Sequence, residues 1–372
     1  MNVESAVLER YTEGARDRVE ALCCPVDYDQ GLLKILPREI IDRDYGCGDP
    51  SRYVREGDRV LDMGSGSGKN CYMTAQLVGK TGRVIGVDMN EEMLALARKY
   101  QSIMAQRIGS DRVEFLKGYI QDLALDVEAM ERWLVEHPVT DARSLTMLEQ
   151  WKQTQRQSKP LIPDSSVDLV ISNCVLNLVS DDQKRQLVSE IYRVVRPGGR
   201  IAISDIVSDE PVPRHLKEDT ELWSGCVSGA FQEQEMLRVF QETGFQAVCF
   251  NKWSAEPWQV IEGIEFRSIT VTAVKAEGTE CLDKGHAVIY RGPFSFVKDD
   301  DGHEYPRGER MAVCERTFRQ LTEGPYKDEF IGIKPAVLRE ARPWCAPAGT
   351  IRPASETKGG SHISDSSGSC CC

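Results

Sequence analysis

The stretch Arg59-Val-Leu-Asp62-Met-Gly64-Ser65-Gly66-Ser-Gly68 joins a short apolar run to three glycines at alternate positions. The apolar run is typical of a strand, and residues 71–78 have the pattern of a helix that follows it. Glycines in such a turn let the backbone approach a ligand, and the helix N-terminus offers unpaired N–H groups to it. The stretch therefore predicts a nucleotide-type cofactor site between a strand and a helix.

The chain on either side of this stretch alternates short apolar runs with helix-like segments. Further strands are predicted at 83–88, 113–118, 166–172 and 200–205, with two more near 247–253 and 267–274. Asn90 is predicted to cap the helix that follows the second strand. This alternation indicates an α/β fold, with a Rossmann-like parallel sheet that carries helices on both faces.

Composition and pattern divide the chain into four predicted regions. They are an N-terminal segment with a mobile cysteine loop (1–57), a cofactor-binding domain (58–276), a small accessory C-terminal domain (277–345) and a disordered tail (346–372). Two insertions are expected in the second region, at 122–160, with helices near 127–136 and 142–155, and at 211–232. The tail is assigned as disordered because Gly, Ser, Pro and Thr dominate it and supply little apolar surface to bury.

Charge and composition exclude several classes of function. The net charge of −12 argues against nucleic acid as a partner, since a phosphate backbone requires clustered Lys and Arg. No apolar run approaches the roughly 20 residues that span a bilayer, and the N-terminus lacks the apolar core of a signal peptide. We therefore expect a cytoplasmic protein without a membrane partner. Its 13 cysteines are expected to be reduced thiols, and the lack of a CxxC pair gives zinc little support.

Three details distinguish the glycine loop from that of NAD-dependent dehydrogenases, the main alternative besides a simple tight turn. The spacing is GxGxG, Asp62 lies two residues before the first glycine, and the turn Arg196-Pro-Gly-Gly199 precedes a late strand. A carboxylate at Asp62 can face a cationic aminoacyl group. In this combination residues 58–276 resemble the class I S-adenosylmethionine-dependent methyltransferases.

That resemblance implies a role for each residue around the cofactor. The loop, with Asp62, Gly64, Ser65, Gly66 and Gly68, would hold the methionine part, and Asp88 would bond the ribose hydroxyls. Met89 would flank the adenine, with Ile120 and Gln121 beside it, and Asn173 and Val175 would line the pocket near the methyl group.

Four cysteines are predicted to lie near this pocket. Cys71 begins the first helix and Cys174 follows the fourth strand, so both should face the crevice at the carboxyl ends of the strands. Cys226 lies in the second insertion, and Cys47 lies in a loop between two glycines. Any single cysteine is more often a packing residue. That interpretation is kept for the others considered, Cys23, Cys24, Cys249, Cys281, Cys314 and Cys345.

The segments around these cysteines are similar to those of the arsenite S-adenosylmethionine methyltransferases. They are Tyr45-Gly-Cys47-Gly, Gly68-Lys-Asn-Cys71-Tyr, Ser172-Asn-Cys174-Val-Leu-Asn177 and Ser224-Gly-Cys226-Val. The resemblance implies that Cys71, Cys174 and Cys226 hold As(III), and that the second insertion contributes to this site through Cys226. It also implies that Cys47 exchanges disulfides.

The same resemblance implies the ligands and partners. Arsenite, and glutathione-conjugated or methylated As(III), would be the substrates in arsenic detoxification. S-adenosylmethionine would be the methyl donor, and no protein-bound metal cofactor is expected. Thioredoxin or glutathione would serve as the reductant.

Two other functions stay open on sequence alone. One is methylation of a small organic substrate, which should tolerate Cys174→Ser. The other is a thiol-rich protein that sequesters metalloid without turnover, although this leaves the glycine loop unexplained. The adjacent thiols Cys370–Cys372 could capture metalloid, but an unspecific exposed tail is the favoured interpretation.

Overall fold

The computed structural model describes residues 3–17, 26–278, 280–337, 339–344, 346–347 and 349–358. The chain forms two compact units, which meet in sequence between Ala276 and Glu277. Cys23, Cys24, Cys345 and Cys370–Cys372, discussed above, lie outside the described residues. None of the helices in the described ranges is both long enough and apolar enough to cross a membrane.

The first unit contains a nine-stranded sheet and twelve α-helices within its described residues. The strands are β1 Arg59–Met63, β2 Arg83–Asp88, β3 Val113–Lys117, β4 Val167–Asn173, β5 Val195–Ser208, β6 Phe231–Gln232, β7 Phe245–Trp253, β8 Gln259–Ile261 and β9 Ile264–Lys275. The helices are α1 Val3–Arg16, α2 Gln30–Leu33, α3 Arg38–Asp42, α4 Lys69–Leu77, α5 Glu91–Lys99, α6 Gln101–Ile108, α7 Val127–Glu136, α8 Ala142–Ser158, α9 Lys184–Val194, α10 Arg214–Lys217, α11 Thr220–Ser224 and α12 Glu233–Thr243.

The main path of the sheet runs β3-β2-β1-β4-β5-β9-β7. Neighbours from β3 to β5 are parallel, whereas β9 lies antiparallel between β5 and β7. Met63 is in register with both Val87 and Ser172, so the carboxyl ends of β1, β2 and β4 lie at one edge. The predicted α/β fold is confirmed.

Side chains alternate between the two faces of the sheet and fill two apolar layers. Leu61 and Met63 of β1 belong to a layer completed by α9 and α12. Val60 belongs to the opposite layer, with α4, α5 and α6. Because burial of each such side chain contributes roughly 1.5–3 kcal/mol, these layers hold the helices on both faces.

Local signals set the helix boundaries near the site. The Asn90 side chain accepts hydrogen bonds from Glu92 N and Met93 N, both at 3.0 Å, which confirms the predicted cap of α5. The helices predicted in the first insertion are also present, as α7 and α8.

The second unit is a small α/β assembly. Its elements are β10 Leu282–Asp283, β11 Ala287–Tyr290, β12 Phe296–Lys298, β13 Glu304–Pro306, β14 Arg310–Ala312, α13 Glu315–Thr322, β15 Phe330–Ile333 and β16 Arg342–Pro343. β11 pairs with β14 and β15, while β10 pairs with β16 and β12 with β13. Val288, Tyr305, Phe318 and Phe330 belong to its core.

The first part of the tail that was predicted to be disordered is instead ordered in the structure. Ile351 forms a β-bridge with Met311, and the buried Arg352 makes ion pairs with Asp283 and Glu356 at 2.9 and 2.8 Å. These contacts order the segment through charge pairing, which a low apolar content does not reveal.

Candidate active site

The glycine loop lies between β1 and α4, against the end of β2. Gly64 N and Ser65 N donate to Val87 O at 2.8 and 3.1 Å. Gly64 has a φ of +70°, and a Cβ there would lie 2.5 Å from the side chain of Val175. Only glycine therefore allows the loop to pass this close to the end of β4.

A cavity of about 330 Å³ opens over the loop at the carboxyl ends of the strands. All predicted cofactor residues except Asp62 and Gly68 line it, namely Gly64, Ser65, Gly66, Asp88, Met89, Ile120, Gln121, Asn173 and Val175. Its position agrees with the general location of ligands in open α/β sheets.

Asp88 presents its carboxylate to this cavity. Oδ2 accepts from Gly66 N and Oδ1 accepts from Asn90 N, both at 2.8 Å. Each oxygen keeps a lone pair, so the group suits a ligand that carries two hydroxyls. The buried Ser65 Oγ has no hydrogen-bond partner among the described residues, which also fits a polar ligand.

Asp62 lies beneath the loop rather than in the cavity lining. Its Oδ2 accepts from Cys71 Sγ at 3.2 Å, and its buried Oδ1 has no partner within the described part of the chain. Burial raises the pKa of Asp62 to about 7, although the Cys71 hydrogen bond opposes that shift. The unpartnered oxygen is the kind of acceptor that an ammonium group would satisfy.

Gly68 also lies outside the lining, because it packs inward at the start of α4. Its φ is +83°, and a Cβ there would lie 2.8 Å from the ring of Phe115. Gly68 therefore shapes the turn from the loop into α4.

The thiols of Cys47 and Cys174, expected from the composition to be reduced, are joined in a disulfide at the end of β4. An oxygen of Asp205 and these two sulfurs all lie within 4.8 Å of one another. Cys226 is adjacent, since its Sγ donates to Cys174 O at 3.1 Å. The structure thus brings three of the four predicted thiols together, and Cys174 also lines the cofactor cavity.

Cys71 occupies a different position. It is fully buried in the apolar layer formed by α4, α5 and α6, where its thiol contacts Asp62. Cys71, Cys174 and Cys226 do not lie within 4.8 Å of one another in this conformation. Burial raises the pKa of Cys71, and the neighbouring Asp62 raises it further.

The Cys47 segment is held in place by Asn173. Asn173 Oδ1 accepts from Cys47 N and Gly48 N at 2.8 and 3.0 Å, and Nδ2 donates to Gly48 O at 2.8 Å. A Cβ on Gly46 would lie 2.1 Å from Asn173 Nδ2, and one on Gly48 would lie 2.4 Å from Ser204 Oγ. The flanking glycines, predicted to suit a mobile loop, here permit close packing.

Comparison with known proteins identifies the family. The chain is 32% identical over 335 residues to the arsenite methyltransferase of Aquipseudomonas alcaligenes, and the match covers 86% of each protein. This chain belongs to the arsenite methyltransferase family. It is also 30% identical to the arsenite methyltransferase of Mus musculus, over 82% of this chain and 74% of the relative.

One solved structure and one family profile agree with this arsenite methyltransferase assignment. CrArsM, an arsenic (III) S-adenosylmethionine methyltransferase from Chlamydomonas reinhardtii, is 27% identical and has a TM-score of 0.57. The match covers 85% of this chain and 99% of that one. A profile described as a methyltransferase domain matches residues 55–134 and 146–244, and a domain of unknown function, DUF8838, matches 277–362.

Two cysteines of the thiol cluster in this arsenite methyltransferase have unusual backbones. Cys174 has a φ of +59° and Cys226 a φ of +61°, in the left-handed region that non-glycine residues seldom adopt. Such residues cost of order 1–3 kcal/mol each and cluster at functional sites. The surrounding hydrogen bonds hold both thiols in these positions.

Two further residues of the site were missed by sequence reasoning. Asp205 is fully buried and accepts from Leu176 N and Ile206 N at 2.9 and 2.8 Å. Burial raises its pKa to about 7, against the effect of those bonds. Its position at the end of a predicted strand was a signal for a site residue. Tyr11 of α1 lines the cavity, and its hydroxyl lies 3.7 Å from Cys226 Sγ.

Proposed function

We propose that this enzyme transfers methyl groups from S-adenosylmethionine to trivalent arsenic held by cysteine thiolates. One observation carries the proposal: Cys174 lines the cofactor cavity and at the same time contacts Cys47 and Cys226. Thiolate sulfur is a soft ligand that suits a soft, thiophilic centre. A cluster of thiols beside a methyl-donor pocket therefore favours a metalloid acceptor over carbon, nitrogen or oxygen.

The residues around the cavity fit S-adenosylmethionine. Asp88 would accept the ribose hydroxyls, the Gly64–Gly66 loop would hold the methionine part, and Asp62 would face its ammonium group. Met89 would flank the adenine, with Ile120 and Gln121 beside it. When bound, S-adenosylmethionine supplies an electrophilic methyl group.

Arsenite would exchange its three hydroxyls for thiolates and release three waters. Cys174 and Cys226 are already adjacent, so they would form the first two As–S bonds once Cys174 is reduced. Cys71 is proposed as the third ligand, and it joins only after its hydrogen bond to Asp62 breaks. The arsenic lone pair then attacks the methyl group in line, so that positioning supplies much of the catalysis.

Methyl transfer formally oxidises arsenic from As(III) to As(V), and two electrons must return to it. We propose that Cys47 and Cys174 supply them as their sulfurs form a disulfide. The Cys47–Cys174 disulfide supports this assignment, since it is the product that the step would leave. Asp205, which has an oxygen within 4.8 Å of both sulfurs, would accept a thiol proton.

A thiol reductant such as thioredoxin or glutathione would then reset the pair. The need for reduced thiols favours the cytoplasm as the compartment. Arsenic detoxification is the role that follows from this chemistry, with arsenite and methylated or glutathione-conjugated As(III) as substrates.

Product analysis tests the proposal. The protein is incubated with arsenite, a thiol reductant and S-adenosylmethionine, and arsenic species are separated and quantified. We expect methylated arsenic from the wild type and none from Cys174→Ser. The matched control is Cys249→Ser, because Cys249 is a partly exposed free thiol on β7 and lies outside the cluster.

Two results would contradict the proposal. A folded wild type that binds S-adenosylmethionine but yields no methylated arsenic would direct the search to organic acceptors. A Cys174→Ser variant with wild-type yield would remove the thiol cluster from the reaction. Comparing Cys71→Ser with Cys226→Ser then tests the third ligand, since both should abolish the first methylation if all three thiolates are needed.

A further inference from the structure

The second unit contains its own pair of neighbouring thiols, Cys281 and Cys314. On sequence alone, both are interpreted as packing residues. Cys281 immediately precedes β10, whereas Cys314 caps the N-terminus of α13. The side chains of Cys281 and Cys314 nevertheless line one cavity and are close enough to interact, and both are free thiols. The folding of this unit thus creates a dithiol that no local sequence motif shows.

The pair opens into a cavity of about 250 Å³. Cys281 is partly exposed and Cys314 forms a buried part of the wall. Tyr305, Met311 and Trp344 also line the cavity and give it an apolar side. A small ligand that carries an organic substituent can therefore reach both sulfurs.

Polar groups near the sulfurs favour negative charge there. Thr317 N, in the first turn of α13, donates to Cys314 Sγ at 3.5 Å, and a helix N-terminus attracts negative charge. Burial raises the pKa of Cys281 and Cys314 raises it further, while Arg316 lowers it. The resting Cys281 thiol therefore holds its proton and can release it when a thiophilic ligand binds.

We propose that Cys281 and Cys314 chelate a monosubstituted trivalent arsenical of the type RAs(OH)₂. Two As–S bonds form and two As–O bonds break. The two thiol protons leave with the two hydroxyls as two waters, and arsenic stays trivalent throughout. The choice of arsenic rests on the proposed function of the first unit, whereas the dithiol itself does not.

The number of donors separates this ligand class from zinc. Structural zinc sites take four ligands, usually Cys and His. Among the described residues, Cys47, Cys174 and Asp205 form the only group of three or more Cys, His, Asp or Glu side chains that could share a metal ion. The Cys281–Cys314 site therefore offers two donors, which is the number that an arsenical with one retained substituent requires.

Titration with phenylarsine oxide tests the proposal on the reduced full-length chain. Native mass spectrometry counts phenylarsenic adducts, and digestion locates them. We expect one adduct to bridge the peptides that contain Cys281 and Cys314. Cys281→Ser and Cys314→Ser should each lose that adduct, with about 10²–10⁴-fold weaker binding, because the second thiol no longer acts at a high effective concentration.

The matched control is Cys249→Ser, which should keep the bridging adduct because Cys249 lies on β7 of the first unit. Cys23–Cys24 and Cys370–Cys372 are adjacent thiols in the sequence, so the readout is the located adduct and not the total number. Retention of this adduct in Cys281→Ser, or no bridged peptide from the wild type, would overturn the proposal. The wild-type digest decides the matter even if a variant fails to fold.

The same titration separates this proposal from the proposed function. Cys174→Ser should lose a different adduct, the one that includes Cys226. It should also lose methylation. Loss of the 281–314 adduct only in the Cys281 and Cys314 variants supports the second site even if methylated arsenic is never detected. Methylation by a wild type without that adduct would refute the second site alone.

Discussion

Replacing Asn173 by alanine removes the side chain that holds Cys47 against Cys174. Two backbone N–H groups and one carbonyl lose their partner, at Cys47 and Gly48. The hydrogen bond that Ser268 Oγ donates to Cys47 O, at 2.6 Å, remains in this variant. We expect the Cys47 segment to leave its position far more often in the reduced protein.

The size of the effect follows from the hydrogen bonds lost. A buried hydrogen bond contributes about 0.5–1.5 kcal/mol net, so three contribute about 3 kcal/mol. Losing this free energy should lower the effective concentration of the Cys47 thiol at Cys174 by up to about 10²-fold, since 1.4 kcal/mol is a factor of ten. Ser268→Ala loses one such hydrogen bond and should lower this effective concentration about 5-fold.

Equilibration in mixtures of reduced and oxidised dithiothreitol measures the effective concentration of the two thiols directly. After acid quenching and alkylation, mass spectrometry gives the fraction of protein with the Cys47–Cys174 disulfide. The ratio of reduced to oxidised dithiothreitol at half-reduction should fall up to about 10²-fold in Asn173→Ala, because a weaker disulfide needs less reductant. The assay requires no cofactor, so loss of a cavity contact by Asn173 does not disturb it.

A folded Asn173→Ala variant with the wild-type midpoint would refute the reasoning. So would a larger shift in Ser268→Ala than in Asn173→Ala, since it would place the main restraint elsewhere. Circular dichroism and thermal unfolding establish that both variants are folded before the redox measurement.

Three other substitutions probe the cofactor loop and the buried carboxylates. Gly64→Ala should weaken S-adenosylmethionine binding at least 10-fold by calorimetry, because its Cβ meets Val175, whereas Gly109→Ala, also at positive φ but in open space, should leave binding unchanged. Asp88→Ala should weaken binding about 10–100-fold, since hydrogen bonds to a charged group contribute about 1.5–3 kcal/mol; unchanged affinity would remove Asp88 from the ribose site. Asp205 has a folded pKa of about 7 against an ordinary value near 4, so the stability it contributes is present at low pH and is lost as pH rises through 7. Denaturant unfolding of the wild type should therefore lose up to about 4 kcal/mol more than Asp205→Asn between pH 4 and pH 8, and parallel pH profiles would contradict this.

Most residues of the cavity lining were predictable because their signals are local. The glycine loop, the acidic end of β2 and the residues after β3 and β4 each follow from a strand and its next turn. Parallel strands then bring these turns to one edge without further information. Asp62 and Gly68 show the limit of this reasoning, because the sequence does not tell whether a loop residue points into the cavity or beneath it.

The site around the thiols was predictable only in part. Sequence motifs selected Cys47, Cys71, Cys174 and Cys226, and the structure brings three of them together. That these three meet beside Asp205 while Cys71 packs against Asp62 depends on side-chain directions that no motif contains. Tyr11 was missed because nothing local links the first helix to a thiol more than 200 residues away along the chain.

The sequence by itself determined the α/β fold, the cofactor loop and the thiol-rich character of the chain. Helix and strand periods, glycine turns and helix caps depend on neighbouring residues, so they can be read directly. The tertiary structure alone decided that Asn173 holds Cys47 across a separation of 126 residues and that Cys281 meets Cys314. Such contacts arise when packed layers bring distant segments together, and their geometry is a property of the whole fold.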